Sequence, residues 1–233
     1  MIELIIGYGE IGQAVKQSVA LDAFTYDIQD EQSEIAHASI LHICFPYSDT
    51  FVEDVQDYIR RYNPLHIIIW STVPIGTTKQ IDDRAVHSPV EGVHSVLGQS
   101  IMTMVRWLGV NDGLEGDFFG DYFHERNMEY YVVPDSDFTE FLKLRSTAKY
   151  GVNLVWTDYE AKVANEIGMP VELLKAFDYD YNELYKELGL PQYQRYLLDP
   201  PNGKIGGHCI RPNAELLDKQ FPHSMLKQIK RMK

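Results

Sequence analysis

IELIIGYGEIG, residues 2–12, decides how the rest of this chain is read. A short apolar run, IELII, leads directly into Gly7-Tyr8-Gly9-Glu10-Ile11-Gly12, and a helical pattern, QAVKQSVALD, follows. The glycines of such a turn serve three separate ends: a tight turn, close backbone approach to a pyrophosphate, and close packing of helix on strand. The helix then aims the unpaired N–H groups of its first turn at the phosphates. A second strand, AFTYDI, ends near Asp27. A carboxylate at that point accepts both hydroxyls of a ribose and repels a 2′-phosphate, so NAD rather than NADP is the expected cofactor.

The alternation continues outward from this unit. ASILHICFP (38–46) reads as a buried strand, FVEDVQDYIRRY (51–62) as a helix and LHIIIWSTVP (65–74) as a strand. TTKQIDDRA (77–85) reads as a short helix, MTMVRWLGV (102–110) as a strand, GDYFHERN (120–127) as a helix and MEYYVVP (128–134) as a strand. Strands alternating with helices imply an α/β fold with a Rossmann-type, doubly wound parallel sheet. Ligands of such sheets lie at the carboxyl ends of the strands. Phe45-Pro46 and Ser71-Thr72 leave two of those ends. They join Gly7, Tyr8, Gly9, Glu10, Ile11, Gly12 and Asp27 as cofactor-binding candidates.

From about Asp137 the strands stop. Residues 137–168 form one helical pattern of about thirty residues, longer than a usual globular helix, with Gly151 marking either a bend or a close contact. PVELLKAFDYDYNELYKELG (170–189) supplies further helix, and a proline-rich stretch leads to KIGGHCIRPN at 204–213. The expected division is a NAD-binding domain, 1–136, and a smaller all-helical domain, 137–233. Tyr150, Val155, Trp156 and Tyr159 are too apolar for an exposed helix, so a homodimer built on this helix is expected.

Composition narrows the class. Of 233 residues, 45% are apolar, enough for a packed core. The formal charge of −13 argues against a nucleic-acid partner, since a phosphate backbone would be repelled. No run of 18 apolar residues suggests a membrane span, and the start has no basic, signal-like region. The two cysteines, Cys44 and Cys209, are too few for a disulfide framework and fit a reducing cytoplasm. No His/Cys/carboxylate cluster has metal spacing, so no metal site is expected. His208 reads as a turn residue.

GYGEIG, ASILHICFP, STVPIGTT, HSPVEG, a long lysine- and asparagine-bearing helix with NEIG, and IGGHCI occur in an order that resembles the UDP-glucose/GDP-mannose dehydrogenase family. STVPIGTT and IGGHC are the specific parts. The resemblance implies a helical middle domain that dimerises, two NAD per primary alcohol oxidised, and a thioester on the cysteine of the glycine turn, here Cys209. It assigns Thr72 a place beside the nicotinamide and a catalytic water. It makes Glu91 a candidate for the family glutamate, one position later in the chain. Two lysines fit the family spacing on the long helix. Lys149 with Asn153 is favoured; Lys143, three residues after Glu140 with Thr147 at the asparagine position, is the alternative. The family aspartate four residues after the cysteine is Asn213 here. The sequence runs about twenty residues past the turn, so the domain that grips the nucleotide of the substrate lies outside it. The implied substrate is a sugar-like small molecule, without a nucleotide or with a separate chain to hold it. A two-electron β-hydroxyacid-type dehydrogenase without the cysteine step, or a non-catalytic NAD-binding accessory protein, remain as alternatives.

Overall fold

β1 (Glu3–Ile6) is the strand on which the sheet is assembled. After it come α1 (Glu10–Ser18), β2 (Phe24–Tyr26), β3 (Ile40–Ile43), α2 (Phe51–Tyr62) and β4 (His66–Ile69). Then follow α3 (Thr77–Ile81), β5 (Ala85–His87), a 3₁₀ turn at His94–Val96, α4 (Leu97–Thr103) and β6 (Arg106–Gly109). α5 (Gly113–His124), β7 (Tyr130–Val133) and the long α6 (Ser136–Glu166) come next. Beyond α6 lie α7 (Glu172–Glu187), a 3₁₀ turn at Pro191–Tyr193, α8 (Ile210–Gln220) and α9 (Ser224–Arg231). The computed structural model describes residues 1–28, 35–206 and 209–232; His208 is outside them.

Among the described residues, seven strands lie in the order β2-β1-β3-β4-β5-β6-β7. β1, β3 and β4 are buried on both faces, which is why they read as unbroken apolar runs rather than alternating ones. Ile5, Ile40, Ile68 and Val86 point to one side and pack with Val15, Leu97, Ile101 and Phe119 from α1, α4 and α5. Leu4, Ile6, Leu41, Ile43, Ile67 and Ile69 point to the other and meet Phe51 and Val55 of α2 and Ile81 of α3. Helices on both faces follow from that two-sided hydrophobicity. Each such side chain contributes roughly 1.5–3 kcal/mol by leaving water.

Three details differ from the sequence reading. Ala85–His87 is a strand, β5, whose first residue falls at the end of the expected helix 77–85. β6 runs antiparallel to β5, with His87 opposite Gly109, so the sheet is not parallel throughout. The stretch between them holds the seven-residue α4, which packs on α1 instead of forming the long return that a parallel crossover uses. α5 makes such a return, and β6 and β7 are parallel to each other. α5 also begins seven residues before the expected 120–127, because the Asp112 carboxylate accepts the Leu114 N–H at 2.9 Å and caps it.

The chain forms two compact units, residues 1–143 and 144–233, which divide inside α6. In the second unit Gly151 lies in unbroken helix; a Cβ there would stand 2.8 Å from Ile210 Cγ2 and 2.9 Å from Ile229 Cδ1. Gly151 therefore marks a close helix contact rather than a bend. Among the described residues no helix is long and apolar enough to cross a membrane.

Candidate functional site

The turn after β1 is shaped by its glycines. Gly7 has φ +88°, and a Cβ on it would lie 2.8 Å from the backbone nitrogen of Phe45. Gly12 sits against the same turn, where a Cβ would lie 2.0 Å from Gly7 O, so α1 can start this close only with hydrogen there. Gly9 faces open space, with nothing within 4 Å of a would-be Cβ. That is the cradle a pyrophosphate needs beside a helix N-terminus, and the residues present fit a dinucleotide. Asp27 is at the end of β2, and its Oδ2 accepts the Tyr8 N–H at 2.8 Å. The carboxylate is thus bound to the turn it was expected to serve.

At the ends of β3 and β4 the Ser71 hydroxyl donates to Phe45 O at 2.6 Å. Ser71 is buried, so its role is to join two strand ends. Phe45 is half-buried against Phe51, whereas Pro46 is exposed and Thr72 half-buried. Ile11 packs partly against the core below α1.

The first two turns of α6 brace the next part of this edge. His87 Nε2 donates to Ser71 O at 3.2 Å, so its Nδ1 accepts from the Thr139 hydroxyl at 2.8 Å. Burial pushes His87 down to about 3, which leaves it neutral near pH 7. Glu140 accepts from Gly76 N at 2.5 Å, Thr78 N at 2.8 Å and Thr78 Oγ1 at 2.7 Å. Burial pushes its carboxyl up to about 7 against the pull of those three donors. One helical turn on, Lys143 Nζ donates to Val90 O at 2.6 Å and lies 3.6 Å from Glu91 Oε1.

The structure therefore brings Lys143 together with Glu91. Lys149 is exposed, and its carbonyl accepts from the Asn153 amide at 2.8 Å within the helix. Of the two lysines, Lys143 contacts the segment that carries Glu91 and Lys149 does not. Asn213 Nδ2 donates to Thr147 Oγ1 at 3.2 Å. Cys209 is half-buried and forms the N-cap of α8, its carbonyl accepting from Asn213 N at 3.1 Å. Cys44 is buried at the end of β3, where loss of water raises its thiol well above the ordinary value.

Two residues of this edge carry no sequence signal. Arg106 is fully buried with its Nε–H toward Met104 O at 3.3 Å; burial pushes it down to about 10, against the pull of the Glu91 carboxylate. His94 Nδ1 lies 2.9 Å from Glu10 Oε2.

No protein-family model and no curated protein sequence matches the chain. Solved structures do. UDP-D-ManNAc dehydrogenase from Pyrococcus horikoshii superposes with a TM-score of 0.79 at 16% identity, over 100% of this chain and 68% of that one. A UDP-glucose dehydrogenase from Pyrobaculum islandicum gives 0.75 at 12% identity, with the same two shares. Mycobacterium tuberculosis 3-hydroxyisobutyrate dehydrogenase gives 0.71 at 11% identity, over 99% of this chain and 92% of that one. The whole chain thus resembles nucleotide-sugar dehydrogenases in structure and has the Rossmann-type sheet followed by helices that these dehydrogenases share.

Proposed function

We propose that the chain is an NAD-dependent dehydrogenase that oxidises a primary alcohol of a sugar-like small molecule. The observation that carries this is the arrangement along the sheet edge of unit 1–143: the Gly7–Gly12 turn bound to Asp27, with Lys143 against Glu91 at the end of β5. NAD, when bound, would accept the hydride released as the C–H bond breaks at each oxidation step. The Lys143 ammonium stabilises the substrate oxygen as its proton leaves, and Glu91 takes that proton. The Cys209 sulfur then attacks the aldehyde carbon; a C–S bond forms, the carbonyl π pair moves to oxygen, and oxygen is protonated. Oxidation of this thiohemiacetal gives a thioester, and water breaks the C–S bond to release the carboxylic acid and restore the thiol. The N-terminus of α8 favours negative charge on Cys209. Thr72 would line the nicotinamide end, and Asn213, unable to take a proton at neutral pH, would make thioester hydrolysis slow.

The same proposal includes a homodimer through α6, supported by exposed Trp156, Tyr159 and Val163 on one helix.

A two-electron β-hydroxyacid oxidation, using Lys143 without Cys209, is favoured by one observation: the chain spans 92% of the 3-hydroxyisobutyrate dehydrogenase. Counting NADH formed per substrate across sugar alcohols and β-hydroxyacids decides between them. Two equivalents, lost on alkylation of Cys209, support the thioester route. One equivalent that survives Cys209→Ser supports the two-electron route. NADH binding without turnover on either class supports a non-catalytic, accessory role.

A further inference from the structure

We infer that His94 belongs to the dinucleotide site and acts there through Glu10, as a positioning residue; this rests on the Gly7–Gly12 turn being an NAD site. Glu10 is the first residue of α1, next to Gly9, the glycine that opens onto empty space. A carboxylate there stands beside the place where the pyrophosphate charge would come to rest. Like charges a few ångströms apart near a protein surface weaken binding by about fivefold. The sequence thus puts an unfavourable charge inside its own binding motif.

His94 gives that carboxylate a hydrogen-bond donor. It comes from the segment after β5, 84 residues away, and a carboxylate only accepts, so the Nδ1–H donates to Glu10 Oε2 at 2.9 Å. The backbone is built to deliver it. Gly92 has φ +138°, and a Cβ on it would lie 2.3 Å from Ser100 Cβ and 2.5 Å from Ser100 Oγ, so only glycine makes this turn. The turn sends the chain into the 3₁₀ turn His94–Val96 and then into α4, which lies along α1 with Gly98 facing Ala14 O. The backbone on both sides of the contact is therefore held by close packing. Glu91 is three residues before His94, so the bond also ties the phosphate end of the edge to the segment that carries Glu91. Both side chains are about half exposed, 48% and 59%, and screening limits the effect to a few-fold.

NADH fluorescence titration of the full chain at low salt tests this. His94→Ala is expected to weaken NADH about threefold and Glu10→Gln alone to change it by less than about twofold. In the Glu10→Gln background, His94→Ala is expected to change nothing further. His94→Asn, whose amide can still donate to Glu10, should recover most of the affinity. Unchanged melting temperatures confirm that the variants are folded. A His94→Ala loss of equal size in both backgrounds overturns action through Glu10, and no loss in either overturns a role for His94. Wild-type protein that binds no NADH overturns the underlying cofactor assignment instead, a result that none of the variant outcomes can mimic.

Discussion

Within residues 1–143, Ile5, Ile40, Ile68 and Phe119 lose all contact with water between the sheet and its helices. Within residues 144–233 the buried apolar residues are all aliphatic, among them Leu144, Leu154, Ile210, Leu217 and Ile229 beside Ala148, Ala161, Ala164 and Ala214. Several large apolar groups there stay outside: Trp156 is 58% exposed, Phe177 65% and Ile167 70%. A sheet with helices on both faces encloses its own core. The helical layer encloses an aliphatic core but leaves aromatics such as Trp156 and Phe177 outside, to meet something else. Fold and surface are therefore specified by different residues in the two units.

The largest expected effect tests the sealed side of that contrast. Phe119→Ala should cost about 3–5 kcal/mol in urea unfolding, whereas Trp156→Ala should cost less than about 0.5 kcal/mol at concentrations where the chain is monomeric. Equal losses would mean that the helical unit buries its aromatics after all.

Next is the brace at the start of α6. Glu140 is raised to about 7 in the fold from 4.5. Its protonated form is thus preferred in the native state, so the stability it adds is complete below about pH 4.5 and is lost as pH rises through about 7. The loss is at most about 3 kcal/mol. Glu140→Gln cannot ionise and should flatten this component, so the variant should gain on the wild type between pH 5.5 and pH 8. A constant gap between the two unfolding midpoints would contradict it.

A smaller effect concerns the open side. If a second copy covers α6, replacing Trp156 and Tyr159 together by alanine should weaken self-association at least about tenfold in sedimentation, with little change in monomer stability. Smallest of all is Gly151→Ala. A gain of about 1 kcal/mol in helix propensity works against crowding of Ile210 and Ile229 worth about 1–3 kcal/mol. A net loss near 1 kcal/mol is expected by thermal unfolding; a gain would mean that the α6–α8–α9 contact is looser than it looks.

What the sequence disclosed depended on range. The Gly7–Gly12 turn and the buried strands are local patterns, and they were legible because one face or one turn dictates them. β5 was not, because three residues between Arg84 and Ser88 leave no room for a period to show. Nor does periodicity encode strand direction, so the antiparallel β6 was invisible. Lys143 and Lys149 share a helix and a similar spacing to the residues around them. What separates them is the carbonyl of Val90, 53 residues from Lys143, a contact that exists only once the chain has folded. The Glu10–His94 pair is hidden for the same reason, whereas the Glu140-x-x-Lys143 spacing was visible without its meaning.

The bond from Tyr8 N–H to Asp27 has a consequence for rates rather than affinities. If the turn takes a dinucleotide as proposed, the carboxylate holds it before the ligand arrives, so the shape of the cradle is set during folding and little ordering remains for the encounter. Capture then needs only collision in the right orientation, so association should be fast and nearly independent of solvent viscosity beyond diffusion itself. Removing that carboxylate would leave the turn to be ordered by its guest, and the loss would appear first as slower association in stopped flow.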